Sequence, residues 1–316
     1  MGSTKTLIIG GLGFIGSHLA EECLHKGHKV TIMSRSMSKI DNIKPFADQV
    51  DLIIKDLADI GDEVAGFDLI FNMAGSTDNY SIIEDEPYKD IDMNCTKTIA
   101  LLEAIKKYNH NVKLLFASTF FVNGNPKQLP VTEDSLCEPL GLYGATRLAA
   151  EHFCKIYKRV FDMDIFILRF TNVFGANERS VGSKKAGFNF MIQQACLGKP
   201  IKLYDNGDFY RDYIYVSDAA KACLTVAEKG NNNQIYYIGR GEFVKFKELV
   251  DLVVKHTGVK VIPIDPPDFH KRVGIKDFVC DNSPLKELGW QPEISLDEGI
   301  KRTIDYYKSI EGNSLG

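Results

Sequence analysis

Short, uninterrupted apolar runs alternate with longer amphipathic stretches along the first half of the chain. LIIG, VTIM, LIFNM, KLLFAS and IFILR are apolar at nearly every position, not at every second one. That pattern suits strands covered on both faces, as in a parallel sheet flanked by helices. The predicted strands are Thr6–Gly10, Lys29–Met33, Asp51–Lys55, Leu69–Met73, Lys113–Ser118 and Asp164–Arg169. Helices are expected over Phe14–Lys26, Pro87–Tyr108 and Tyr143–Phe161, with Pro87 suited to a first helical turn. After about residue 171 the rhythm loosens. A Gly-, Asn-, Lys- and Ser-rich loop over 175–189 leads into a helix near Phe188–Leu197 and a strand near Ile201–Tyr204. A turn at Asp205–Asp208, a helix from Ser217, a loop holding Pro263, Pro266 and Pro267, and a final helix near Leu296–Tyr307 follow.

Composition narrows the function classes. The 38 basic and 42 acidic residues leave a net charge of −4, with no basic block or stripe. This argues against a nucleic-acid surface or an anionic membrane patch, so any phosphate must be held by a local site. Seven scattered cysteines without a CxxC suit reduced thiols and offer no zinc site. No apolar run approaches the ~18 residues of a membrane span, and no charged segment followed by a long apolar one opens the chain. A cytoplasmic protein without membrane or nucleic-acid partners is expected. His18, His25 and His28 cluster near one helix without convergent metal partners, and a solvated surface is expected for them.

The first chemical signal is Gly10-Gly11-Leu12-Gly13-Phe14-Ile15-Gly16, placed directly after a strand and opening a helix. Glycine permits the tight turn and lets backbone N–H groups approach a pyrophosphate at a positive helix end. With a second strand within 35 residues, the motif reads as a dinucleotide site. The implied fold is α/β, a Rossmann-type doubly wound parallel sheet with a smaller C-terminal substrate-binding domain. The expected division gives residues 1–171, with a return segment at about 213–238, to the dinucleotide, and 172–212 with 239–316 to the substrate.

The end of the second strand bears on which dinucleotide binds. A carboxylate there would take the ribose 2′-hydroxyl of NAD, and a basic residue the 2′-phosphate of NADP. The chain has Ser34-Arg35-Ser36 with Lys39 nearby. Guanidinium and hydroxyl donors match a phosphate, so NADP is favoured; if Arg35 is merely solvated, NAD fits as well. The third strand ends at Asp56-Leu57, where a carboxylate could accept from an adenine amino group. The fourth ends Asn72-Met73-Ala74-Gly75, small residues that let backbone pass beneath a cofactor. Asp56 and Asn72 serve equally well as helix caps.

Tyr143 and Arg147 share a helical face at i and i+4, downstream of Thr119 at the carboxyl end of a strand. An unperturbed phenol titrates near pH ~10, and a fixed cation beside it lowers that value. By itself such a pair is common on surfaces. In company with the other motifs, the chain resembles the extended short-chain dehydrogenase/reductase family, in its nucleotide-sugar epimerase/dehydratase branch. The similarity is carried by the glycines at 10–16, Asp56-Leu57, Asn94 and Phe116-Ala117-Ser118-Thr119, then by Val122-Asn123-Gly124 and Tyr143-Gly144-Ala145-Thr146. It continues through Leu168-Arg169-Phe170-Thr171-Asn172-Val173-Phe174-Gly175 and Arg211 to Asp218, and ends with Asp281-Asn282-Ser283-Pro284 and Leu288-Gly289-Trp290.

The resemblance implies that Tyr143 is the general acid/base, that Thr119 polarises the substrate hydroxyl and that Arg147 stands beside them. It places Gly10, Gly13, Phe14, Ile15, Gly16, Ser34, Arg35, Ser36, Asp56, Leu57, Met73, Ala74, Gly75, Asn94 and Phe170 at the cofactor. It places Asn172 at the sugar or its diphosphate, with Asn189 on the loop–helix junction a further substrate-side candidate, Leu203 and Tyr204 beside the nucleobase, and Arg211 with Arg272 or Lys271 on the phosphates. A homodimer paired through the Pro87–Tyr108 and Tyr143–Phe161 helices is also implied. Three departures stand out. Arg147 replaces the family's lysine, Phe120-Phe121 replace the Asp-Glu pair of the dehydratases, and Asn123 stands where tyrosine is usual. The second argues against 4,6-dehydration. The expected reaction is redox at a sugar hydroxyl, C4 for preference, of a nucleotide-activated hexose. Return of the hydride to the opposite face would make a 4-epimerase, and a single transfer a 4-dehydrogenase or 4-ketosugar reductase. A non-catalytic nicotinamide sensor and a cousin acting on a non-nucleotide carbonyl compound are the other readings.

Overall fold

The computed structural model describes residues 2–76, 87–178, 187–266 and 268–312. Residues 179–186 of the predicted loop, and Pro267, lie outside them. Thirteen described strands run in chain order as Lys5–Ile9 (β1), Lys29–Ser34 (β2), Val50–Ile54 (β3), Leu69–Asn72 (β4), Lys113–Thr119 (β5), Ile165–Phe170 (β6), Asn172–Phe174 (β7), Ile201–Tyr204 (β8), Tyr210–Arg211 (β9), Tyr213–Tyr215 (β10), Ile235–Ile238 (β11), Val244–Lys245 (β12) and Val261–Ile264 (β13).

Seven of them form one sheet in the order β11-β6-β5-β4-β1-β2-β3, and every pairing in it is parallel. The uninterrupted apolar runs are explained by its two covered faces. Leu7 and Ile9 enter one core with Leu102, Ile105, Phe116 and Cys154, from the Lys97–Tyr108 and Leu142–Phe161 helices and β5. Ile8, between them, enters the opposite core with Leu19, Cys23, Ala220 and Cys223 from the Phe14–His25 and Val216–Lys229 helices. Each aliphatic side chain buried this way contributes about 1.5–3 kcal/mol. Strand order reverses between β1 and β4, which opens a crevice at their carboxyl ends.

The remaining strands form the pairs β7–β10, β8–β13 and β9–β12. Around them Phe174, Phe188, Tyr213, Phe246, Ile300 and Ile304 build a further core. Trp290 is buried in the core beneath the sheet and docks the tail there. Among the described residues no helix is long and apolar enough to cross a membrane, and no His/Cys/Asp/Glu group could hold a metal.

Two expectations are corrected. The Pro87–Tyr108 stretch is not one regular helix: α-helix Pro87–Asp90 passes through a π-helical segment, Ile91–Thr96, before Lys97–Tyr108. Apolar spacing does not register an i→i+5 bond, because tertiary partners decide where the extra residue is accommodated. Nor are the histidines uniformly solvated. His25 is exposed, but His18 bonds the Ala176 carbonyl at 3.1 Å and burial lowers its pKa. His28 is half-buried and meets the Thr6 hydroxyl at 2.9 Å.

Candidate active site

A cleft of about 550 Å3 runs along the carboxyl ends of the central strands. The turn after β1 forms its floor. A β-carbon on Gly16 would collide with the Gly10 carbonyl oxygen, so only glycine lets the Phe14–His25 helix start this close to the strand. Gly13 caps that helix without a side-chain hydrogen bond, and its first turn holds no acid. The first-turn N–H groups and the positive helix end therefore remain available to an anion. A dinucleotide pyrophosphate fits this cradle.

One end of the cleft is lined by Ser34, Arg35, Ser36, Lys39, Asp56, Leu57 and Lys97. Asp56 is a cap: its Oδ1 accepts from the Ala58 amide at 2.9 Å. It also accepts from Lys97 Nζ at 2.7 Å, and Lys97 is only 8% exposed. The Ala58 N–H, with the Lys97 ammonium, holds the Asp56 carboxyl below its usual range. Asn72 neither lines the cleft nor caps a helix; its Oδ1 accepts from the Ala74 amide at 3.2 Å and shapes the turn after β4.

Met73, Ala74, Gly75, Ala117, Ser118, Thr119, Tyr143, Arg147, Phe170 and Asn172 converge on the other end. Thr119 is buried at the tip of β5, and its Oγ1 accepts from the Phe121 amide at 3.3 Å, leaving the hydroxyl proton to donate. The Tyr143 ring meets Phe121 edge-on, with centroids 5.7 Å apart. Arg147 is 5% exposed, with its guanidinium carbon 5.8 Å from the centre of the Tyr143 ring. Its Nη1 donates to the Ala117 carbonyl at 3.0 Å and its Nη2 to the Ala74 carbonyl at 3.3 Å. This cation therefore bridges the ends of β4 and β5 beside the phenol. Asn172 donates from Nδ2 to the carbonyl of Asp212, the residue just before β10, at 3.0 Å.

These side chains can take a proton from an alcohol while a dinucleotide lies on the Gly-rich turn. The match to known proteins agrees: the model of the NAD dependent epimerase/dehydratase family covers residues 6–239. The chain belongs to that family. A Methanocaldococcus jannaschii protein provisionally named UDP-glucose 4-epimerase is 31% identical over 308 residues, spanning 96% of this chain and 98% of that one. The Thermotoga maritima UDP-glucose 4-epimerase, crystallised with UDP-glucose, superposes with a TM-score of 0.86 at 26% identity, covering 98% of this chain and 100% of that one. The Bacillus cereus UDP-glucuronic acid 4-epimerase, in complex with UDP-glucuronic acid and NAD, gives 0.86 at 25% identity over 97% of this chain and 100% of that one.

Within this epimerase/dehydratase chain, six predicted site residues lie off the cleft lining. Asn94 sits behind it, bonding Ser76 and donating to the Thr146 hydroxyl at 3.0 Å. Asn189 holds the Gly175 amide at 3.2 Å and bonds the Glu178 carboxyl. Leu203 is buried in the C-terminal core, while Tyr204 beside it is half-buried. Arg211 donates to the carbonyls of Tyr210, Ile275 and Lys276 and lies over the Phe209 ring, so it shapes the 275–276 loop. Arg272 is exposed. These positions depend on which strand pairs fold back beside the sheet, information that no single motif carries.

The cleft also gains residues that no motif singled out. Lys97 is one; its signal is a lysine one turn after Asn94 on an inward-facing stripe with Thr98, Leu101 and Ile105. Asn177 and Glu178 close the Gly-rich side. Asn177 Nδ2 reaches Ser17 Oγ at 3.3 Å and the Asn42 carbonyl at 3.2 Å, and burial pushes the Glu178 carboxyl up to about 7.

Proposed function

We propose that the chain is a nicotinamide-dependent UDP-sugar 4-epimerase. One observation carries the reading: Tyr143 and Thr119 line the same cleft as the Gly-rich turn and the uncapped helix start. Tyr143 takes the proton from the sugar 4-hydroxyl and returns it after the C4 configuration has inverted. Thr119 donates to the same oxygen and stabilises it as a carbonyl. Arg147 stands beside the phenol and ties the ends of β4 and β5 together beneath the reacting groups. The dinucleotide, when bound, supplies the acceptor and donor of the C4 hydride. Phe120 and Phe121 offer no carboxylate for loss of water, which supports epimerisation over dehydration.

The resident cofactor we propose is NAD, in place of the NADP favoured by Arg35. The Bacillus cereus relative is in complex with NAD. In this chain Ser34 Oγ donates to the Ser36 carbonyl at 3.0 Å, Ser36 Oγ lies 3.0 Å from Ser38 Oγ, and Arg35 is exposed. The hydroxyls that would share a 2′-phosphate are thus engaged within their own loop. Residues 172–212 and 239–316 would hold the uridine diphosphate sugar. A homodimer is part of the proposal, supported by exposed apolar side chains on the paired helices: Tyr88 (81%), Ile91 (45%), Ile156 (44%) and Val160 (58%). Light scattering at twice 35.4 kDa would check it.

The decisive experiment denatures purified protein and identifies any released dinucleotide by mass spectrometry, then assays UDP-glucose conversion to UDP-galactose. Stoichiometric NAD with turnover that falls about 10²- to 10⁴-fold in Tyr143→Phe is expected. Undiminished turnover in that variant would overturn the mechanism.

A further inference from the structure

We propose that Ser118 and Glu151 are positioning residues that set Thr119 against Tyr143; the proposal rests on the 4-epimerase reading. The two reacting side chains come from different elements, β5 and the Leu142–Phe161 helix. Proton transfer tolerates little error in their relation, so something must lock strand to helix.

The lock is visible along one helix face. Tyr143, Arg147 and Glu151 are spaced by four residues and stack on it. Arg147 donates to the Ala117 carbonyl at 3.0 Å, and Ser118 Oγ donates to Glu151 Oε1 at 2.5 Å. The two strand residues preceding Thr119 are therefore stitched to the helix one and two turns beyond Tyr143. Behind Glu151 the chain of bonds continues. Arg169 on β6 donates to its carboxylate from Nε at 3.0 Å and from Nη2 at 2.8 Å. Arg169 Nη1 donates to the Tyr237 hydroxyl at 2.9 Å, and that hydroxyl donates to Asn123 Oδ1 at 2.8 Å. Asn123 ends the short helical turn, Phe120–Asn123, that Thr119 caps. Thr119 is thus gripped from the strand before it and from the turn after it.

All five polar side chains of this circuit are at most 5% exposed. A buried ion pair is poor evidence for stability, since apolar residues of similar volume often serve as well or better. A circuit that joins both sides of Thr119 to the Tyr143 helix has a geometric use instead. It also accounts for Asn123, whose amide oxygen closes the circuit.

Ser118→Ala tests the proposal because it leaves the Glu151–Arg169 pair intact. The expected result on holoenzyme is kcat lowered about tenfold, with KM for UDP-glucose and bound dinucleotide changed less than about twofold. If Ser118 acts through Thr119, the Ser118→Ala/Thr119→Ala double variant turns over no more slowly than Thr119→Ala alone. An unchanged kcat in Ser118→Ala, or losses that multiply in the double variant, would overturn it. Hydrogen–deuterium exchange of residues 117–119 and 143–147 supplies a readout that needs no sugar. If the wild type converts no UDP-sugar, the epimerase reading fails on its own. Faster exchange in both segments of Ser118→Ala then supports the lock, and unchanged exchange refutes it.

Discussion

Gly75 and Arg147 form one steric unit on the cleft floor. A β-carbon on Gly75 would overlap Arg147 Nη2, so any larger residue there must displace the guanidinium. The guanidinium, in turn, spends two donors on the Ala74 and Ala117 carbonyls. Gly75→Ala is expected to expel the guanidinium from beside Tyr143 and to lower kcat/KM about ten- to a hundredfold. Pairing it with Arg147→Lys, whose head is more compact, should restore part of that loss; steady-state kinetics on the four variants checks both statements. The sequence named both residues, but their mutual dependence follows from a contact between positions 72 apart.

At the scale of elements, the π-helical segment Ile91–Thr96 is the least expected feature. It turns Asn94 inward, where the amide bonds Ser76 after β4 and Thr146 on the Tyr143 helix. One side chain thereby couples three elements behind the Tyr143 end of the cleft. Asn94→Ala would strand buried donors and acceptors and cost about 1–3 kcal/mol. The check is a lower urea midpoint with an unchanged slope. Six of the seven sheet strands were legible because a short, unbroken apolar run suits little besides a strand covered on both faces, and their observed ends fall within one residue of the expected ones; the edge strand β11 was not among the expected strands. The π-segment was not, since its cause lies in partners distant along the chain.

For the molecule as a whole, Glu178 links the C-terminal core to the cofactor cleft. Its backbone carbonyl accepts from the Tyr307 hydroxyl at 2.7 Å, its carboxyl bonds Asn189, and it lines the cleft near Lys39. Burial raises its pKa from 4.5 to about 7. The folded state then holds a proton that the unfolded chain releases, so this contribution to stability is complete below about pH 4.5 and is lost as pH rises to about 7. Glu178→Gln, which stays neutral, should flatten the fall of Tm across that window, measured by calorimetry on wild type and variant in parallel. A slope that is the same in both would refute the assignment.

By itself the sequence determined the parallel sheet and the glycine-rich turn after its first strand, because apolar period and glycine spacing decide each within a few residues; Thr119, Tyr143 and Arg147 stood out from surface residues only through the family resemblance. Only the tertiary structure decided that Asn94 and Asn189 support the cleft from behind, that Leu203 belongs to a core, and that Arg211 is spent on backbone carbonyls. It alone placed Ser118, Glu151, Arg169, Tyr237 and Asn123 in one circuit. Hydrogen bonds between distant segments depend on where the folded chain brings donors and acceptors within about 3 Å, and linear spacing does not encode that meeting.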